Sequence, residues 1–160
     1  TVDLLLRLWG PIVSVDARAG TQFHNIEVED TVVATLQFEN GALGVFEAST
    51  AVFPGYPRRV ELTGSHGTLT LEHDHLVGVD LKEPDARFPA PAVEARDGAV
   101  NASSPTVSDA TPHRRILEDF LHAIRTSGTP ACDGPEGRRS VVVIDAIYAS
   151  ARAKGSVTIE

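Results

Sequence analysis

The chain has 160 residues and a formal net charge of −8, which is spread thinly and includes no lysine- or arginine-rich run. This distribution argues against nucleic acid and anionic membranes as partners. No apolar run approaches the length that spans a bilayer. The length predicts one domain, residues 1–160, large enough to bury a core. The single Cys132 cannot form an internal disulfide, which favours a reducing, cytoplasmic setting.

The chain opens on an apolar-periodic helix. Residues 2–9 have helical spacing, and Gly10-Pro11 ends the pattern. The sequence contains no Met and begins inside this helix without a capping residue, so we expect a longer protein to extend upstream. Residues 12–18 alternate apolar and polar side chains and predict a first strand.

Residues 31–38 and 42–50 predict a β-hairpin around Asn40-Gly41, the part of the chain on which the rest is organised. A two-residue loop and a three-residue loop with a glycine bulge both fit, so the register stays open. Both faces carry large apolar groups: Val32, Leu36 and Phe38 on one, and Val33 with Val45 or Phe46 on the other. We expect the chain's own helices to cover one face and a second copy to cover the other.

Further strands are predicted at residues 58–63, 68–72 and 76–81, followed by an unpatterned excursion over residues 83–111. Thr111 as N-cap and Pro112 as first helical residue predict a helix that Gly128 ends.

Asp133-Gly-Pro-Glu136 has the spacing of a capping box for a second helix, which is apolar nearly all round and is expected to be deeply buried. Gly155 ends it, and residues 156–160 predict a short closing strand. Strands in a block followed by helices indicate an α+β domain: a mostly antiparallel open sheet with helices packed on one face and the outer face available for oligomerisation.

Few residues suggest chemistry on their own. His73-Asp74-His75 with His66 has metal-site spacing, but a polar hairpin tip is the favoured interpretation, and no metal is expected. Cys132 has no histidine at a motif spacing, which favours a spectator thiol. The paired acids Glu29-Asp30 could bind a cation, but acids at the start of a strand are more often solvated, and this is the favoured interpretation. The sequence contains no glycine-rich phosphate cradle.

Several stretches, in order, resemble the C-terminal domain of the Gfo/Idh/MocA oxidoreductases, the family named after glucose–fructose oxidoreductase and inositol dehydrogenase. They are Val-Asp-Leu-Leu-Leu-Arg-Leu-Trp-Gly10, Glu29-Asp-Thr31, Phe38-Glu-Asn-Gly-Ala-Leu-Gly44, Pro57-Arg-Arg-Val-Glu-Leu-Thr-Gly-Ser-His-Gly67, Asp119-Phe-Leu-His-Ala-Ile124, Asp133-Gly-Pro-Glu-Gly-Arg-Arg-Ser140 and Ala146-Ile-Tyr-Ala-Ser150. The resemblance covers nearly the whole chain outside residues 83–111.

This resemblance implies the substrate-binding and oligomerisation domain of an enzyme whose N-terminal Rossmann domain, absent from this chain, binds NAD or NADP. Such an enzyme passes a hydride between nicotinamide and a secondary carbinol carbon of a sugar or polyol. The family's catalytic Asp-x-x-x-His segment would end immediately before Thr1, so no catalytic residue is expected here, and the fragment alone is expected to be inactive and to bind no cofactor.

The resemblance also supplies site residues. Only Asp3 is carried over from the family, as a substrate-side residue on the first helix. The resemblance also implies that loops at one sheet edge lie against the nicotinamide, and in the loop of residues 53–59 we expect Tyr56 and Arg58 to contact the substrate. An ordinary helix-start acid, a packed tyrosine and a solvated arginine are the alternatives. The expected interface of a homodimer or homotetramer includes Val33, Thr35 and Val45. A non-enzymatic dimerisation or assembly module that has lost the chemistry is the alternative function.

Overall fold

A computed structural model describes residues 1–73, 75–89 and 110–159. The chain divides into two compact units, a main unit of Thr1–Ala51 with Val107–Glu160, and a small unit of Val52–Thr106. Asp74 of the histidine motif, most of the excursion predicted at 83–111, and Glu160 of the closing strand lie outside the described residues.

The main unit contains α1 (Val2–Trp9), β1 (Ile12–Gly20), β2 (Thr31–Phe38) and β3 (Leu43–Ser49). The small unit contains β4 (Arg59–Gly64), β5 (Gly67–Glu72) and β6 (His75–Leu81). The chain then returns to the main unit with α2 (Thr111–Thr126), α3 (Gly134–Ala153) and β7 (Val157–Thr158). Antiparallel ladders join the strands in the orders β3-β2-β1-β7 and β4-β5-β6.

The predicted α+β class and antiparallel pairing are confirmed, but the described strands form two sheets and not one open sheet. The ladder stops at Ser49 and resumes at Arg59. Pro54 and Pro57 lie between these points and have no backbone N–H to donate, so they cannot continue a ladder.

The hairpin between β2 and β3 has the longer of the two loops that the sequence allowed. The Phe38 N–H donates to the Ala42 carbonyl at 2.9 Å, and the Gly41 N–H donates to the Phe38 carbonyl at 3.0 Å. Gly41 has φ 86°, the positive value that a glycine bulge requires. Thr35 therefore pairs with Val45, and Phe46 lies on the same face as the buried Ala34.

The core lies between this sheet and the helices α1 and α3. Val15, Leu36 and Phe38 of the sheet pack in one cluster with Val143 and Ile147 of α3. Leu6 of α1 belongs to the same cluster, and the Trp9 ring lies 6.0 Å from the Phe38 ring. The expectation that the helices cover one face of the hairpin is confirmed for α1 and α3.

The composition of helix α3 predicts burial on all sides. In the structure the helix is buried along one stripe only. Asp133 caps it as predicted, with its carboxylate accepting from the Glu136 N–H at 2.9 Å. Val141, Ile144 and Tyr148 are 55%, 40% and 40% exposed because they lie outside the stripe that contacts the sheet.

Helix α2 ends near the predicted position, with the Gly128 N–H bonded to the Ala123 carbonyl at 2.9 Å. Its N-cap is Ala110 and not Thr111, and no side chain caps it, so the sequence placed this start one residue late. Among its residues only Ala123 is buried, and one apolar face is exposed: Ile116, Leu117, Phe120, Leu121 and Ile124.

Candidate functional site

A groove of about 450 Å³ lies in the main unit beside the start of α1. The first residues of α1 border it, together with the helix-facing side of the sheet and the exposed side of α3. Its polar lining consists of Thr1, Asp3, Glu29, Ser140 and Tyr148. Its apolar lining consists of Val2, Ala19, Val32, Phe46, Ile144 and Ile147. The groove therefore offers an apolar floor with a few polar groups, as small-molecule sites commonly do.

The loop that precedes β2 is held by the carboxylate of Asp30. Its two oxygens accept from the backbone N–H groups of Gln22, Phe23 and His24 at 2.8, 2.8 and 2.9 Å, and from the Thr31 hydroxyl at 3.0 Å. These donors, that of His24 first, hold the pKa of Asp30 well below its usual range. Asp30 is buried, so the interpretation of this residue as a solvated acid is wrong.

The neighbouring Glu29 points to α3 and lines the groove. The Tyr148 hydroxyl donates to its Oε1 at 2.6 Å, which joins the β1–β2 loop to the helix. This bond and the negative charge of Glu29 raise the pKa of Tyr148. The sequence predicted Tyr148 only as a core residue. The signal that was missed is the hydroxyl, because a tyrosine on an apolar helix usually finds a polar partner.

The residues assigned to the substrate side do not all meet in one unit. Asp3 is exposed and lines the groove. Tyr56 and Arg58 belong to the small unit, where an Arg58 guanidinium N–H donates to the His73 carbonyl and the His73 N–H returns a 2.8 Å bond to the Arg58 carbonyl. A substrate role for these three residues stays a prediction.

The outer face of the main sheet, opposite the helices, carries exposed apolar side chains. Val33 is 45% exposed and Val45 is 77% exposed, with Thr35 between them on the same face. Leu43, the first residue of β3, is also exposed and extends the patch. The prediction that Val33 and Val45 lie on one face is confirmed. That a second copy of the chain covers this face stays a prediction.

Within residues 1–73, 75–89 and 110–159, no group of three or more His, Cys, Asp or Glu side chains is arranged to hold a metal ion. Cys132 is exposed. None of the helices in this part of the chain has the length and apolar character needed to cross a membrane.

The main unit thus defines a class of protein: an α+β domain with an antiparallel sheet, helices on one face and a groove at one end. Comparison with known proteins shows which family this domain is similar to. Residues 1–70 match the model of the GFO/IDH/MocA C-terminal domain. The chain is 26% identical over 136 residues to myo-inositol 2-dehydrogenase of Thermotoga maritima, covering 82% of this chain and 36% of that enzyme.

Solved structures also match this chain over nearly its whole length. The WlbA dehydrogenase from Chromobacterium violaceum, solved in complex with NADH and UDP-GlcNAcA, superposes with a TM-score of 0.78 at 27% identity. The match covers 99% of this chain and 43% of that one. Levoglucosan dehydrogenase, at 20% identity and a TM-score of 0.75, shares the fold over 99% of this chain and 47% of its own. Over residues 1–70 the chain is similar to the GFO/IDH/MocA C-terminal domain, and it spans less than half the length of these relatives.

Proposed function

We propose that this chain is the substrate-side and oligomerisation domain of an NAD(P)-dependent oxidoreductase that acts on a sugar, a polyol or a related secondary alcohol in the cytoplasm. The observation that carries the proposal is the groove beside Thr1 and Asp3. The resemblance puts the family's catalytic histidine immediately before Thr1, so a substrate in this groove would lie next to it. Two relatives support a sugar or polyol as the substrate. One is a myo-inositol 2-dehydrogenase, and the other is a dehydrogenase solved in complex with NADH and UDP-GlcNAcA.

The residues described here do not fit a dinucleotide. Their ladders are all antiparallel, whereas the usual pyrophosphate site needs a glycine-rich turn between a parallel strand and a helix. In this proposal NAD or NADP binds another part of the parent enzyme, and residues 1–160 alone bind no cofactor and catalyse no turnover.

The test uses the full-length parent enzyme and the isolated chain side by side. The parent should reduce NAD⁺ or NADP⁺ with at least one member of a panel of polyols, aldoses and nucleotide sugars. The isolated chain should show no micromolar NADH binding in calorimetry. A full-length protein that binds neither cofactor would contradict the proposal, and micromolar NADH binding by the chain alone would contradict the assignment of the cofactor to another part.

Substitutions in the parent enzyme test the residues on the substrate side. Asp3→Asn and Tyr56→Phe should each lower kcat/KM about tenfold, since a hydrogen bond to a polar substrate contributes roughly 1–2 kcal/mol. The dissociation constant of the cofactor should not change. Asp145→Asn is the matched control, because Asp145 is an exposed acid on helix α3 of the same unit and does not line the groove. An unchanged kcat/KM across the panel would contradict the assignment of Asp3 and of Tyr56 to the substrate side.

Self-association through the outer face is the second part of the proposal. Val33, Val45 and Leu43 form an exposed apolar patch, and a two-fold interface is the commonest cover for such a patch. Sedimentation should show a homodimer or homotetramer, and Val33→Glu with Val45→Glu should give a folded monomer. A wild-type protein that is monomeric at high concentration would contradict this part.

The same patch favours a second candidate function, an assembly module without chemistry. The two candidates differ in the upstream sequence. The enzyme requires a strand-associated Gly-x-Gly-x-x-Gly, a lysine, and an Asp-x-x-x-His segment that ends beside Thr1. A parent protein that oligomerises through Val33 and Val45 but lacks these motifs and binds no dinucleotide would be the assembly module.

A further inference from the structure

We infer that Glu29 and Tyr148 form a recognition pair for a neutral, hydroxyl-bearing end of the substrate. This inference rests on the proposed function, since it assigns a role within the same groove. The two residues are 119 positions apart in the chain, and they meet at the groove through a 2.6 Å hydrogen bond.

The position of Glu29 is fixed from both sides. The next residue, Asp30, is anchored by three backbone N–H groups of its own loop. The carboxylate of Glu29 is anchored by a hydroxyl on α3, the helix whose buried stripe packs on the sheet. A polar group held in this way loses little conformational freedom when a ligand binds, which favours both affinity and selectivity.

The chemistry of the pair determines what it can bind. The single proton of the Tyr148 hydroxyl is donated to Glu29 Oε1, so the phenol oxygen and the second carboxylate oxygen remain as acceptors. The pair is therefore an anionic group that offers only acceptors. Its natural ligands are the donor hydroxyls of a sugar or polyol, and a ligand carboxylate or phosphate at this point would be repelled.

The surroundings agree with such a ligand. None of the described side chains that line the groove is a lysine, an arginine or a histidine. Val32, Phe46 and Ile144 supply apolar surface in the same groove. A sugar ring has C–H faces that pack on apolar side chains while its hydroxyls point to polar groups, and this groove offers both kinds of surface.

The alternative is that the bond only ties the β1–β2 loop to α3. The two roles differ in how they depend on the substrate. A structural tie affects every substrate equally, whereas a recognition pair affects only a substrate that presents a hydroxyl to it. A matched structural control is available at the opposite end of the sheet, where the Asn40 side-chain N–H donates to the Trp9 carbonyl at 3.0 Å and so joins the hairpin loop to α1.

The experiment measures Glu29→Gln, Tyr148→Phe and Asn40→Ala in the full-length parent enzyme. Each variant is assayed with the best neutral polyol or sugar, with a series of its monodeoxy analogues, and with its uronic acid counterpart. Substrate dissociation constants are measured by calorimetry in parallel. Glu29→Gln and Tyr148→Phe should each raise KM and Kd for the best neutral substrate about tenfold. For the deoxy analogue that lacks the hydroxyl bound by the pair, both constants should change less than twofold. Glu29→Gln should also shift the selectivity toward the uronic acid, and Asn40→Ala should leave all ratios unchanged.

Equal losses on the parent substrate and on every deoxy analogue would overturn the inference and leave a structural tie. Unchanged KM and Kd for all substrates would overturn it as well, while leaving the proposed function intact. If the unmodified parent enzyme neither binds nor oxidises any sugar or polyol, the proposed function fails first and the recognition pair fails with it.

Discussion

Replacement of Ser150 tests how the main sheet is joined to α3. Strand β7 pairs with β1 only at Ser14–Thr158 and Val15–Val157. If this register continued by two more residues, Ala17 would pair with Gly155, but the ladder does not extend that far. The Ser150 hydroxyl bridges this gap: it accepts from the Ala17 N–H at 2.7 Å and donates to the Gly155 carbonyl at 2.6 Å. The side chain of Ser150 on α3 thus replaces a backbone hydrogen bond between β1 and the segment before β7.

The cost of removing this hydroxyl follows from burial. Ser150 and Ala17 both have 0% exposure, so water cannot reach the Ala17 N–H once the hydroxyl is gone. A buried donor without a partner costs about 1–3 kcal/mol. The Gly155 carbonyl belongs to a half-buried residue and can bind water instead, so it adds little. We expect Ser150→Ala to lower the free energy of unfolding by about 2 kcal/mol.

Urea unfolding followed by Trp9 fluorescence provides the measurement, since Trp9 is the only tryptophan and packs on Phe38 in the same unit. Ser14→Ala is the control. It removes an exposed hydroxyl–hydroxyl bond to Ser156 of 2.9 Å and should change stability by less than about 0.5 kcal/mol. Hydrogen exchange at the Ala17 amide should accelerate only in Ser150→Ala. Equal stability of the two variants, with the Ala17 amide still protected, would refute the reasoning.

Three further predictions concern local features. The pKa of Asp30 is lowered in the folded protein, so its ionised carboxylate stabilises the fold at pH values above the unfolded pKa of about 4, and this stabilisation is lost as the pH falls below that value. Asp30→Asn should therefore weaken the dependence of the urea midpoint on pH on the acid side. Gly67 has φ 149°, and a Cβ there would lie 2.2 Å from the Asp80 carbonyl oxygen. Gly67→Ala should therefore destabilise the small unit by about 2–5 kcal/mol, visible as faster limited proteolysis. Asp133→Ala removes the bond to the Glu136 N–H and should cost about 1 kcal/mol in thermal unfolding, whereas an unchanged Tm would contradict the cap.

The local patterns of the sequence predicted the elements well because each depends on nearby residues. Alternation over residues 31–38 and a glycine that accepts positive φ at position 41 define the hairpin without knowledge of the rest of the chain. The Asp133 cap was predictable for the same reason, since its partner is three residues away. The register stayed open because two loops satisfied the same pattern, and only the bond from the Phe38 N–H to Ala42 distinguishes them.

Features that depend on distant partners were not predictable in this way. The composition of α3 predicted burial on all sides, but how much of a helix is covered depends on what packs against it. Tyr148 has its partner 119 residues away, and no local spacing indicates such a pair. Pro54 and Pro57 mark a turn between Ser49 and Arg59 in the sequence, but whether the strands after this turn rejoin the first sheet depends on distant pairing partners that no local pattern indicates.

The adjacent acids Glu29 and Asp30 show how the topology assembles the proposed site. Helix α1 turns directly into β1 through Gly10-Pro11, so the beginning of α1 lies at the same end of the sheet as the loop that follows β1. Asp30 points into this loop and binds its backbone, while Glu29 points to α3 and lines the groove with Asp3. The buried acid therefore determines where the groove-lining acid stands. If the groove is the substrate site, Asp30 acts as a positioning residue. Its carboxylate binds only the loop before β2, but replacing it would move Glu29 and so weaken the contact between Glu29 and the substrate.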